Sequence, residues 1–312
     1  MAANARKVVE ANSFNPAAKA LITANINLIE GVVYGDWSKF YASCYEFGTG
    51  KSMTPEQTRD LAVSKLQAAI ASFTAYNGAT DLGGAPVLGL YSNTTQAIKC
   101  CNSLIGMLYF DTGAKAKAAE FLSKGYVKAD IGLELGYKNS NSLTSSSDAI
   151  FSAVVSGASF QLNQYAPTFK SDRIADDTFR RVPSNWFAST TIQAENQLRL
   201  NYFYPAAPAA SVGSIPATSR VAYYPIISAN EVALMLVDAA VSPATTAAQR
   251  QQVVADVLTS WKIPSAQALI LSADPAMTLE RVARYEYAGR GRRWAAAGKY
   301  AKWPLANEFN FR

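Results

Sequence analysis

Three residues, Asp111-Thr112-Gly113, separate two stretches of helical periodicity, and so short a connection leaves the chain no course but to double back on itself. Thr94–Phe110 and Ala114–Tyr126 are therefore expected to form an antiparallel helical hairpin. The same signal recurs elsewhere. Asn15-Pro16 supplies an N-cap and a first-turn proline, after which Leu21, Ile22, Ile26, Leu28, Ile29, Val32 and Val33 recur at helical spacing as far as Tyr34. Thr54-Pro55-Glu56-Gln57 is a capping box that opens a helix with apolar positions at Leu61, Leu66, Ile70 and Phe73, and Asn77-Gly78 ends it. Ser228-x-x-Glu231 is a second box, Ser242-Pro243 caps a helix expected to reach about Trp261, and Thr278–Arg290 is the last.

The segments between these helices differ in character. Asn77–Tyr91, with Gly78, Gly83, Gly84, Pro86 and Gly89, reads as a loop; Ser140–Ser147 is a polar loop and Ala149–Val155 a short strand or buried segment. From there to Pro225 no period is sustained, yet Trp186, Phe187, Tyr202, Phe203, Tyr204, Tyr223 and Tyr224 occur among prolines, which suits an irregular aromatic lobe better than a linker. Two helix ends look alike, Leu28–Asp36 and Leu104–Asp111, each closing on an aromatic residue and an aspartate. Such hairpins, with small residues where the facing helix approaches, are what tetratricopeptide-type repeats require. The expected fold is mainly α: tetratricopeptide-like hairpins forming an α superhelix, with an irregular, loop-rich aromatic lobe. One domain over 1–312 is expected, its helical scaffold at 15–135 and 226–312 and its lobe at 136–225.

Composition removes several function classes. The chain has no histidine, which excludes Ser-His-Asp and Cys-His nucleophiles, histidine proton shuttles and zincin-type metal sites. No cofactor is expected. A net charge of +6 is too mild and dispersed for nucleic acid, and its local source, from Arg281 and Arg284 through Arg290, Arg292, Arg293 and Lys299 to Lys302, alternates with apolar and small residues as a helix with charged partners does. Cys44, Cys100 and Cys101 form no disulfide framework, and the adjacent pair reads as small buried hydrophobes on a helix. Val232–Val237 is too short to span a bilayer, and Met1–Lys7 has no apolar run behind its charges, so a cytosolic protein or a removed N-terminus is expected. Two-carboxylate glycoside hydrolysis needs no histidine. Its only sequence cluster, Asp172, Asp176 and Asp177 beside Arg173 and Arg180 with Glu195 following, reads as solvated turn chemistry rather than catalysis.

Four stretches carry a family resemblance. They are Val33-Tyr34-Gly35-Asp36-Trp37, a long helix closing on a Tyr-Gly-Asp turn; Leu108–Ala116, a Tyr-bearing helix, a glycine turn and an Ala-rich helix; Tyr224–Leu234, a hydrophobic lead into a helix with an early glutamate; and Glu280-Arg281 with Tyr285–Trp294 and Trp303–Glu308. In order and spacing they resemble the SusD/RagB family of surface lipoproteins that cap TonB-dependent outer-membrane transporters in Bacteroidetes. The resemblance runs from about residue 17 to the end. Family members usually begin with a signal peptide and a lipid-accepting cysteine and are usually longer, so an N-terminally truncated or divergent member is expected.

The resemblance implies non-catalytic binding of a glycan or other nutrient at the outer-membrane surface, delivery to a SusC-like TonB-dependent transporter, and no enzyme activity. Sugar recognition needs flat aromatic faces rimmed by amide, carboxylate or arginine groups. The ligand-binding candidates are Trp186 with Asn185, Tyr202 and Tyr204, and Trp37 with Tyr41 beyond the Tyr-Gly-Asp turn, all in segments expected to be irregular. Tyr34, Asp36, Tyr109 and Asp111 are expected to fix turns, and Arg281, Glu286 and Arg293 to form ion pairs that lock a terminal helix. The alternative is an α-helical repeat scaffold for a protein partner. A row of exposed aromatics would favour the glycan, a smooth charged face the peptide.

Overall fold

The computed structural model describes residues 2–76, 93–128, 130, 133–138, 187–188, 199–200, 221–238, 241–260, 263–275 and 277–286. Most of these are helical, as expected. The chain divides into two compact units, Met1–Leu133 with Ile227–Arg250, and Glu134–Ile226 with Gln251–Arg312.

The first unit begins with α1 (Ala2–Ala11) and α2 (Pro16–Phe40). Asn15 caps α2 as expected, its side chain accepting from the Ala17 N–H at 2.8 Å, with Pro16 in the first turn. A two-stranded ribbon follows, β1 (Cys44–Tyr45) paired antiparallel with β2 (Ser52–Met53), then α3 (Pro55–Tyr76). Thr54 and Gln57 close the expected capping box, each side chain bonding the other residue's N–H, at 3.0 and 3.3 Å. The anticipated hairpin is α4 (Thr94–Asp111) and α5 (Lys115–Leu122), and Ser228 with Glu231 makes the second box at the start of α6 (Ala229–Leu236).

Three helical boundaries differ from expectation. Helix α2 does not close at Tyr34-Gly35-Asp36 but continues to Phe40: Gly35 is no stop signal here but a close-approach position inside the helix, where a Cβ would sit 3.2 Å from Leu108 of α4. Helix α5 ends at Leu122 rather than Tyr126, since the Gly125 N–H turns back to the Leu122 carbonyl and the Tyr126 N–H is taken by the Ser103 hydroxyl of α4. Helix α7 (Ala247–Ser260) is capped by Thr246 with Gln249, not by Ser242, because only Thr246 stands three residues before a glutamine that can return its bond. Helix α1, the β1–β2 ribbon and α8 (Ser265–Ser272) are not among the elements expected from the sequence.

The core of this unit lies between α2, α3, α4 and α5. Leu21, Leu28, Leu66, Phe73, Ile105, Phe110 and Leu122 are almost wholly removed from water, each contributing about 1.5–3 kcal/mol of burial. Cys100 and Cys101 are buried on α4, as expected; burial pushes the Cys100 thiol up to about 12, which leaves it unreactive. Small residues set the interhelical spacing: a Cβ on Gly31 of α2 would lie 2.6 Å from Leu66 of α3, and one on Gly106 of α4 would lie 2.6 Å from Leu122 of α5. That is the small-residue requirement of a tetratricopeptide-like hairpin, met at both helix pairs.

In the second unit β3 (Leu133–Lys138) pairs with β6 (Val221–Ile227), and β4 (Phe187–Ala188) pairs antiparallel with β5 (Arg199–Leu200), placing Phe187 opposite Leu200. Helix α8 and α9 (Leu279–Glu286) follow, the described part of α9 stopping short of the expected Arg290. Glu286 on α9 is buried; Arg293 lies outside the described residues, as do Ser140–Ser147 and Ala149–Val155. Among the described residues no helix is long and apolar enough to cross a membrane.

Candidate functional site

The continuation of α2 beyond Gly35 is what builds the site. One further turn of helix carries Trp37, and Tyr41 caps the helix end, its N–H bonding the Trp37 carbonyl at 3.0 Å. Both residues were expected in irregular chain; Trp37 instead stands on the helix and Tyr41 at its C-cap. Lys39 of the same turn bridges Asp36 at 3.4 Å and Asp111 of α4 at 3.8 Å, so Asp36 and Asp111 are tied through one lysine.

The β1–β2 ribbon then folds back over this helix end. Its loop is closed by the Glu46 N–H to the Lys51 carbonyl at 2.8 Å, with Gly48 and Gly50 at φ 86° and 68°, conformations that favour glycine. The buried Tyr34 hydroxyl accepts the Phe47 N–H at 2.7 Å. Burial pushes the Tyr34 phenol up more than that bond lowers it. Tyr34 was expected to fix a turn, and it does fix one, thirteen residues downstream of itself.

Four aromatic rings result. Phe47 packs on Tyr34 at 4.8 Å and edge-on against Trp37 at 5.1 Å, and Trp37 meets Tyr41 edge-on at 6.4 Å between ring centres. Trp37, Tyr41 and Phe47, with Tyr45, Ser43 and Glu46, line an open groove of about 690 Å³, and Tyr34 is buried beneath them. Tyr41 and Tyr45 are 57% and 63% exposed, so more than half of each side chain is available to a ligand. Large aromatics exposed side by side are uncommon away from binding surfaces. Replacing Tyr34 by phenylalanine is expected to cost about 1 kcal/mol, since the Phe47 N–H loses its acceptor, and to loosen the ribbon. Faster amide exchange at Phe47, with α2 unaffected, is the readout; equal exchange in both proteins would count against this role.

A second cleft, of about 500 Å³, lies between α3 and the α4–α5 hairpin, lined by Arg59, Asp60, Tyr109, Thr112 and Lys117. Its aromatic face is already engaged: Phe121 stacks on Tyr109 at 5.8 Å, and the Lys117 ammonium sits 5.2 Å from the Tyr109 ring centre. Among the described residues no group of three or more metal-ligating side chains comes together.

Of the six candidates named from sequence, Trp37 and Tyr41 are brought together in the groove. Asn185, Trp186, Tyr202 and Tyr204 lie outside the described residues, as do Asp172, Asp176, Asp177 and Glu195. Sequence reasoning missed Tyr45, Glu46 and Phe47. The signal was present in Tyr45-Glu46-Phe47-Gly48-Thr49-Gly50, where two aromatics alternate into a glycine-bracketed turn.

No family model matches this sequence, and no curated protein does. The fold does find a counterpart. A crystal structure of a SusD-like protein from Bacteroides fragilis NCTC 9343 superimposes with a TM-score of 0.52, covering 93% of this chain and 70% of that one at 10% sequence identity. The fold is SusD-like. The likeness reaches the backbone and not the site, since at 10% identity side chains are almost entirely different.

Proposed function

We propose that this SusD-like protein is a non-catalytic binder of glycans at the outer surface of a bacterial outer membrane, handing its ligand to a SusC-like TonB-dependent transporter. The observation that carries this reading is the groove at the end of α2, where Trp37, Tyr41, Tyr45 and Phe47 stand together with Tyr41 and Tyr45 more than half exposed. Rings so placed match the C–H faces of pyranosides, and the hydroxyls of Ser43, Tyr41 and Tyr45 with the Glu46 carboxylate supply hydrogen bonds at the rim. A protein-binding scaffold is the weaker reading, because this surface is aromatic and concave rather than smooth and charged. Bond cleavage has no support at this groove: glycoside hydrolysis requires a pair of carboxylates, and Glu46 is the one acid among the described lining residues. Asn185, Trp186, Tyr202 and Tyr204 remain proposed further ligand contacts.

The test is a Tyr41→Ala, Tyr45→Ala double variant titrated against an oligosaccharide array. Because both side chains are largely in water, the melting temperature should hold while affinity for any bound glycan falls on the order of tenfold, a loss of about 1.4 kcal/mol. Unchanged glycan binding would remove the groove from consideration. Delivery is tested separately, by whether the tagged protein co-purifies with a TonB-dependent transporter from detergent-solubilised outer membranes.

A further inference from the structure

We infer that the groove sorts sugars by charge, favouring glycans with a free amine over neutral ones and excluding those with carboxylate or sulfate groups; this rests on the glycan-binding reading above. Glu46 is the one charged side chain among the described residues lining the groove, although the chain as a whole carries +6. The local sign is therefore opposite to that of the protein. Neither nearby lysine lines the groove: the Lys39 side chain is 8% exposed and bound to Asp36 and Asp111, and Lys51 is not among the lining residues.

The carboxylate is also held in place. The Thr49 hydroxyl donates to Glu46 Oε2 at 2.8 Å, and the Glu46 carbonyl accepts the Gly50 N–H at 3.1 Å, so the acid is fixed in the ribbon loop on both its side chain and its backbone. An ammonium group on a sugar stacked against Tyr41 or Tyr45 gains a charge-assisted hydrogen bond from this position and attraction to the neighbouring ring faces. A uronate or sulfate meets the reverse. It faces a fixed like charge with no lining cation and the negative faces of the same rings. A substituent in hydrogen-bond contact with Glu46 lies well inside the Debye length of about 8 Å at physiological salt, so the preference survives screening.

The experiment is calorimetric titration of the intact protein with three tetrasaccharides that differ in one substituent, β-1,4-linked glucose, glucosamine and glucuronate, at mildly acidic pH where the amine is charged. The expected order is glucosamine, glucose, glucuronate, with on the order of tenfold between first and last. Glu46→Gln keeps an oxygen to accept from Thr49 while removing the charge, and should bring the outer two to within about twofold of each other. Glucuronate binding as tightly as glucosamine, or an order unaltered in Glu46→Gln, overturns the charge preference and leaves glycan binding standing. Binding of none of the three by the unmodified protein overturns the charge preference, and binding of nothing on the oligosaccharide array overturns the glycan reading with it.

Discussion

Gly106→Val is expected to destabilise the first unit by about 3 kcal/mol, the upper end of what added volume costs in a packed interior. The reason is the α4–α5 contact. A Cβ at position 106 would stand 2.6 Å from Leu122 Cγ, 2.8 Å from Cδ2 and 2.9 Å from the Leu122 backbone nitrogen. A side chain can rotate away, but a nitrogen bonded within its own helix cannot, so the two helices must separate. At Gly31 the obstacle is chiefly the Leu66 side chain, at 2.6 and 2.7 Å, with the Ala62 carbonyl only at 3.3 Å. The two sites therefore differ in how they can be rescued. Leu66→Ala should recover much of the cost of Gly31→Ala, whereas Leu122→Ala should recover little of Gly106→Val. For a unit of this size 3 kcal/mol corresponds to a fall in melting temperature of about 6–12 °C. Helix propensity alone would favour a glycine-to-alanine change by about 1 kcal/mol, so a rise in stability for Gly106→Ala would show that the approach is looser than described.

What the sequence made legible here is local. The caps at Asn15, Thr54 and Ser228 are bonds between residues two or three apart, and each formed where its pattern stood. The α4–α5 reversal is equally local, since Asp111-Thr112-Gly113 allows one geometry, with Gly113 at φ 74°. The misread positions depend on partners far along the chain. Gly35 looks like a stop in isolation and is instead helix interior packed on Leu108; α5 ends early because the Ser103 hydroxyl takes the Tyr126 N–H. The site shows the same division. Trp37 and Tyr41 were visible as aromatics near a helix end, but their companions Tyr45 and Phe47 come from a ribbon with two-residue strands, too short to show a period, anchored by a hydroxyl thirteen residues away.

The buried acid Glu30 extends this long-range logic to α1, which no periodicity announced. Its carboxylate, 3% exposed, receives Arg6 of α1 at 2.6 Å and Lys65 of α3 at 2.8 Å, and the same Arg6 nitrogen donates to Asn27 at 2.6 Å. One side chain thus ties three helices. Burial by itself raises the Glu30 pKa, but the hydrogen bonds from Arg6 and Lys65 and their charges together outweigh it and hold the carboxyl below the usual range. Glu30→Gln is expected to cost about 2 kcal/mol at neutral pH, less than the 3–5 typical of a fully buried pair because Arg6 and Lys65 keep about a quarter of their side chains in water. A carboxyl lowered in the folded state stabilises above its unfolded value near 4.3, and that contribution is lost as pH falls through the folded value. The gap in melting temperature between the two proteins should therefore be widest near neutrality and close as the solution is made acid. Asp130, lowered by Lys99, the Val127 N–H and Gln96 against the opposing effect of burial, titrates in the same direction in both proteins and cancels from the difference. A gap that stays constant into strong acid would mean that Glu30 holds α1 by shape and not by charge.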